Sequence, residues 1–349
     1  MDTKNRKRIQ LRNNEYYNIQ AVFDQLYENA RNGAKFTNLI GVVTSAENIK
    51  LAYRNIKNNK GSKTKGTDGK TISDYESMNE NEMIKYFQSK IRNYYPKSVR
   101  RVEIPKPNGK MRPLGIPCME DRIIQQCLKQ VLEPICEAKF FNHSYGFRPN
   151  RSTRHAIARY SFMVNIMHLY YVVDVDIKGF FDNVNHAKLM KQLWTLGIRD
   201  KNILCIISKI LKSEIEGIGI AERGVPQGGI ISPLLANVVL NELDWWIAEQ
   251  WECIPTKHSY GSGNHKYRAL RNTALKEMYI VRYADDFKIV CSNPKTAEKV
   301  LTATKMWLKE RLGLEVSEEK TKITYLKKNS SELDRKSTRL NSSHLELSR

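Results

Sequence analysis

The chain has 349 residues, with 58 Lys or Arg against 37 Asp or Glu and a formal net charge of +21 at pH 7. A field of that sign attracts polyanions, so nucleic acid is the expected partner and a membrane surface the weaker alternative. No apolar run approaches the ~18 residues a membrane span needs, the start MDTKNRKRIQLRNNEYY is too polar for a signal peptide, and the six cysteines contain no C-x-x-C pair to suggest a zinc ribbon or disulfide framework. A cytoplasmic protein with reduced, structural cysteines is expected.

Met1 to about Lys35 is polar and basic, with Ile19, Val22, Phe23, Leu26 and Tyr27 at helical spacing. From Asn38 to about Ile72 the pattern is a capped helix ended by a Gly/Lys-rich loop. IPKPNGKMRPLGIP, Ile104 to Pro117, places Pro107-Asn108-Gly109 at a hairpin turn, with Lys110 and Arg112 on one face of the returning strand. Two cations there suit a triphosphate; a solvated basic hairpin is the ordinary alternative. SYGFRPNRSTRHAI, Ser144 to Ile157, is a Gly-Phe-Arg-Pro loop leading into a helix, and its Arg148, Arg151 and Arg154 suit phosphates better than chemistry.

YYVVDVDIKGFFDNVNH alternates as a strand, with Val173, Val175 and Ile177 on one face and Asp174 and Asp176 on the other. Carboxylates on an apolar strand are costly unless liganded. In RGVPQGGIISPLLANVVLNELD, Gly228-Gly229 lets backbone approach a ligand closely. Ser232 then caps a helix with Pro233 in its first turn, leaving Gln227 at the mouth of a site. A basic insertion at about 252–277 carries Lys257, His258, His265, Lys266, Arg268 and Arg271, suited to RNA contact or to a solvated loop. MYIVRYADDFKIVC then sets Tyr283-Ala284-Asp285-Asp286 as an acidic turn between two β-rich arms. If the Asp176 strand lies beside this hairpin, three carboxylates can hold two metals roughly 3.5–4 Å apart. In LGLEVSEEKTKI, Lys320 follows two glutamates and would otherwise be a paired surface charge.

These motifs, in this order, resemble the reverse transcriptases and, within them, the proteins encoded by group II introns, whose form PQGG…SPLLAN matches best. The resemblance runs from about Leu39 to Lys322. It implies an α/β right-hand polymerase of fingers and palm, with an antiparallel palm sheet. Its domains would be an N-terminal extension at 1–37, fingers at 38–165 and palm at 166–327. It implies catalysis by Asp176, Asp285 and Asp286, and two Mg²⁺ ions held by these residues and Ile177. Lys110, Arg112, Phe181, Gln227 and Gly228 would bind the nucleotide, Phe181 by excluding a ribose 2′-hydroxyl; a core phenylalanine is the alternative. Arg148, Arg151, Tyr283 and Lys320 would meet template or primer. The activity implied is RNA-directed DNA synthesis, with help in intron splicing and mobility, on an intron RNA template, a DNA primer or target and dNTPs. The alternatives are an RNA-binding maturase without polymerase activity, or a retron, diversity-generating or CRISPR-associated reverse transcriptase.

Residues 328–349 read as a tail. From Asp334 it resembles an in-frame translation of a short-read sequencing adapter and is expected to be artefact; without those residues, four of them Lys or Arg and two Asp or Glu, the charge is still +19. The family's seventh block and thumb are then expected beyond Leu333 in the uninterrupted gene.

Overall fold

The computed structural model describes residues 3–105, 109 and 111–327, with residues 3–8 and 112 described as backbone alone. The expected tail and its adapter-like end lie outside the described residues. The chain folds as two compact units, and both are discontinuous. One contains the described residues up to Phe140 together with Phe181–Val238, the other Phe141–Phe180 together with the described residues from Val239.

The first unit begins with α1 (Thr3–Tyr16), α2 (Gln20–Arg31), α3 (Ile40–Val43) and α4 (Ala46–Lys57). Helix α2 buries Phe23 and Leu26 as the spacing predicts, while Tyr27 stays exposed. Ser45 caps α4 by accepting from the Asn48 amide, and α5 (Glu80–Arg92) opens with a reciprocal Asn79/Glu82 capping box. After the antiparallel hairpin of β1 (Arg100–Pro105) and β2 (Met111–Ile116) comes α6 (Met119–Glu137), against which α2, α3 and α4 pack. Its centre carries a satisfied buried polar group: Asn48 donates to the Val43 and Cys127 carbonyls, and Gln130 donates to Asn48.

The second unit opens with α7 (Thr153–Asn165) and β3 (Tyr171–Asp176). The chain then crosses α8 (Phe180–Asn183) and returns to the first unit for α9 (His186–Thr195), α10 (Lys201–Leu211), a short hairpin and the first residues of α11 (Ser232–Glu249). The second unit resumes along α11, followed by α12 (Gly263–Arg271) within the basic insertion. There Lys266 donates to the Glu252 and Ile254 carbonyls and Arg271 pairs with Glu277, so two of the insertion's cations are engaged internally.

Four antiparallel strands complete this unit: the hairpin β4 (Met278–Tyr283) and β5 (Asp286–Cys291), then β3, then β6 (Lys322–Tyr325), in that spatial order. Helix α13 (Pro294–Trp307) packs on β3 and β5, and α7 on β4. The inner strands are apolar and buried because both faces are covered. This is the α/β architecture with an antiparallel sheet that the sequence leads one to expect. All six cysteines are free, but Cys205 and Cys253 are exposed rather than structural.

Candidate active site

The pairing of β3 with β5 sets Asp176 directly opposite Asp286, and Val175 opposite Phe287. Tyr283 pairs with Asp286, so Ala284 and Asp285 form a two-residue hairpin connection. Ala284 stands at φ +58, which matches the primed turns that follow strand twist but is costly for a residue with a Cβ. Like charges directly opposite on a sheet repel. The Asp176 and Asp286 side chains are 42% and 41% exposed, so each is open to a cation from solvent.

One rung along, Asp174 faces Lys288 and the two are ion-paired, with side chains only 12% and 13% exposed. Burial alone would lower the Lys288 pKa, but the charges of Asp286 and Asp174 outweigh it and raise the value, so this lysine stays cationic. Its Nζ also lies 4.0 Å from Asp286 Oδ1. Asp174 is thereby neutralised and covered.

Lys320 Nζ stands 3.2 Å from both carboxylate oxygens of Asp176. The segment bearing it is tied to the end of β3: Ser317 N–H donates to the Asp176 carbonyl, Lys178 N–H donates to that of Glu315, and Ile177 bridges Val316. The Ile177 side chain is a buried hydrocarbon with no donor atom, so its backbone carbonyl is the group that could serve as a ligand.

Among the described residues, no three His, Cys, Asp or Glu side chains are gathered closely enough to hold a metal. The register sets Asp176 opposite Asp286 with Asp285 in the adjoining turn, but among the described residues the three carboxylates do not close into a cage. The donor set still fits a divalent cation in kind, since Asp176, Asp285 and Asp286 offer hard carboxylate oxygens.

The arginines of the Ser144–Ile157 segment differ in their surroundings. Arg148 is buried and donates to the Phe141 and Ser144 carbonyls at 2.6 and 2.9 Å. Arg151 donates to the Asn142 carbonyl and lies over the Tyr145 ring. Both tie the loop together, whereas Arg154 is exposed. Tyr283 is half-buried, which raises its hydroxyl pKa.

In the first unit, Phe181 is half-buried and its carbonyl accepts from Val225 N–H. Gln227 donates to Asp182 at 3.1 Å, and its carbonyl accepts from Gly115 N–H. At Gly228, φ is +111 and an added Cβ would sit 2.2 Å from the Gly115 carbonyl oxygen, so the close approach this glycine permits is to β2. Ser232 donates its hydroxyl to the Pro226 carbonyl instead of capping α11, fastening the loop to its own start. Lys110 lies outside the described residues, and Arg112 is described only as backbone paired with Ile104.

Lys288 and Arg282 do not figure in the sequence reading. The signal that marks the aspartates, a charge inside an apolar strand, marks them too, in MYIVRY and DFKIVC.

The family described as Reverse transcriptase (RNA-dependent DNA polymerase) matches residues 104–341. Protein YkfC of Escherichia coli K12 is 34% identical over 304 residues, 82% of this chain and 79% of that protein. Group II intron-encoded protein LtrA of Lactococcus lactis is 32% identical over 356 residues, 87% of this chain and 57% of the relative. The putative COX1/OXI3 intron 1 protein of Saccharomyces cerevisiae is 30% identical over 334 residues, 87% of this chain and 39% of the relative. The chain thus spans little more than half of LtrA and less than half of the yeast protein.

Proposed function

The chain belongs to the reverse transcriptase family, and from that premise we propose that it is the polymerase core of a group II intron-encoded protein. It extends a DNA primer along intron RNA, consuming dNTPs, and assists splicing and mobility of that intron. The observation that carries this reading is the register setting Asp176 against Asp286, with Asp285 in the adjoining turn. The family generally uses divalent metals, and the proposal takes these as two Mg²⁺ ions.

Asp176, Asp285, Asp286 and the Ile177 carbonyl are the proposed ligands. When bound, such ions supply activation of the primer 3′-hydroxyl and neutralisation of the departing pyrophosphate. Lys288 keeps Asp174 out of that role and lowers the charge density beside Asp286. Lys320 is exposed and free to exchange Asp176 for a phosphate. Tyr283 flanks the turn and meets the primer or template, with Arg154 a more accessible phosphate contact than Arg148 or Arg151. Phe181 is assigned to sugar selection, and Gln227, Gly228, Lys110 and Arg112 to the nucleotide. The proposal places the protein in the cytoplasm; among the described residues no helix is long and apolar enough to cross a membrane.

The ion pair of Lys320 with Asp176 favours one other reading, an RNA-binding maturase whose acidic face does no chemistry. A single experiment separates the two. Asp285→Ala and Asp176→Ala are expected to reduce extension of a DNA primer on an RNA template to background while RNA binding holds, because phosphate contacts are spread over many cations. Extension at wild-type level by either variant overturns the polymerase reading.

A further inference from the structure

The acidic turn is held in place by a buried arrangement that the metal chemistry does not use. Arg282, two residues before Ala284, is fully buried, as is Asp244 on α11. The guanidinium Nε lies 2.8 and 3.0 Å from the two Asp244 oxygens, Nη2 lies 2.6 Å from Oδ2, and Nη1 donates to the Ala284 carbonyl at 2.7 Å. That carbonyl belongs to the residue at φ +58 whose next neighbours are Asp285 and Asp286. The backbone of Arg282 is gripped as well: its N–H donates to the His143 carbonyl and its carbonyl accepts from Tyr145 N–H. On the same side Gly146 lies so close to the turn that an added Cβ would stand 2.2 Å from the Ala284 nitrogen.

A buried Arg–Asp pair is seldom the most stabilising way to fill a core, so its geometry needs another reason. The planar fork supplies one, because it satisfies Asp244 and still directs one N–H at a single backbone carbonyl. We propose that Arg282, oriented by Asp244, is the positioning residue of the acidic turn. It holds Ala284 in its left-handed conformation and thereby sets where the Asp285 and Asp286 carboxylates stand. The inference rests on the polymerase reading for its catalytic consequence, but not for its structural one.

The test uses the full chain with Arg282→Lys, which keeps the charge opposite Asp244 and loses the fork, and Gly146→Ala, which presses on the turn and leaves the ion pair intact. Both are expected to raise amide hydrogen exchange at residues 284–287 at least tenfold, with the β3 amides unchanged. Both should lower kcat for primer extension about 100-fold, the scale of a misplaced catalytic group, with KM for dNTP within about twofold. Adding Ala284→Gly to Arg282→Lys should recover most of the lost kcat, because glycine adopts positive φ without the carbonyl bond. Turn exchange at wild-type level in both single variants overturns the proposal. So does a rise in exchange spread over the whole sheet with no recovery from Ala284→Gly, which would mark Arg282 as core. An Asp285→Ala protein that extends primers normally would sink the polymerase reading instead, and turn exchange would still decide the role of Arg282.

Discussion

Asp174 and Asp176 stand two residues apart on one strand and one face, yet the structure gives them opposite fates. Asp174 looks across to Lys288, is paired with it and is shielded from solvent. Asp176 looks across to another carboxylate and stays open, paired with the exposed Lys320. The chemistry available to a carboxylate in a sheet is therefore decided by the residue opposite it, which belongs to a strand more than a hundred positions away.

The largest effect expected from breaking this contrast is in catalysis. Asp176→Ala should abolish primer extension, whereas Asp174→Ala should leave it measurable; the reverse order in a single-turnover assay would assign the wrong rung. The cost of Asp174→Ala should appear in stability instead. It strands a mostly buried ammonium that retains only Asp286 at 4.0 Å, a loss of about 1–3 kcal/mol. Urea denaturation of the purified variant measures it, and a midpoint equal to wild type would show that the pair contributes nothing.

Asp121 extends the contrast to a carboxylate whose nearest partners are neutral donors. It is buried on α6, accepts from the Tyr94 hydroxyl at 2.7 Å and the Lys97 amide at 3.3 Å, and has Glu120 beside it. Burial pushes its pKa up from 3.8 to about 6. A carboxyl group with a raised folded-state pKa favours folding when protonated, so its contribution is fully present below about pH 4 and is lost as pH rises through 6. Asp121→Asn should flatten this slope and make the protein more stable at pH 7, on the order of 2 kcal/mol. Melting curves at pH 4.5 and 7 in both proteins check it; parallel pH dependence would show that Asp121 is not the source.

The smallest expected effect is at adjacent phenylalanines. Phe180 is 2% exposed, while Phe181 is half-buried. Phe181→Val should raise the ribonucleotide to deoxynucleotide ratio of kcat/KM severalfold. An unchanged ratio with a lowered melting temperature would return Phe181 to the core.

The sequence alone determined several of the elements and the acidic motifs. Alternation in YVVDVD and the arms around Tyr283–Asp286 are local patterns, and so is the capped helix at Ser45. Period-2 alternation put Asp174 and Asp176 on one face but gave no means to choose between them, because the choice depends on β5 register. The Gly-Phe-Arg-Pro motif does not show that the Arg148 guanidinium donates to the Phe141 and Ser144 carbonyls. The closeness of Gly228 to the Gly115 carbonyl is likewise absent from any local pattern. What only the tertiary structure decided is the partner of each charge. Pairing energies depend on distance and burial, and both are set by residues far away in the chain.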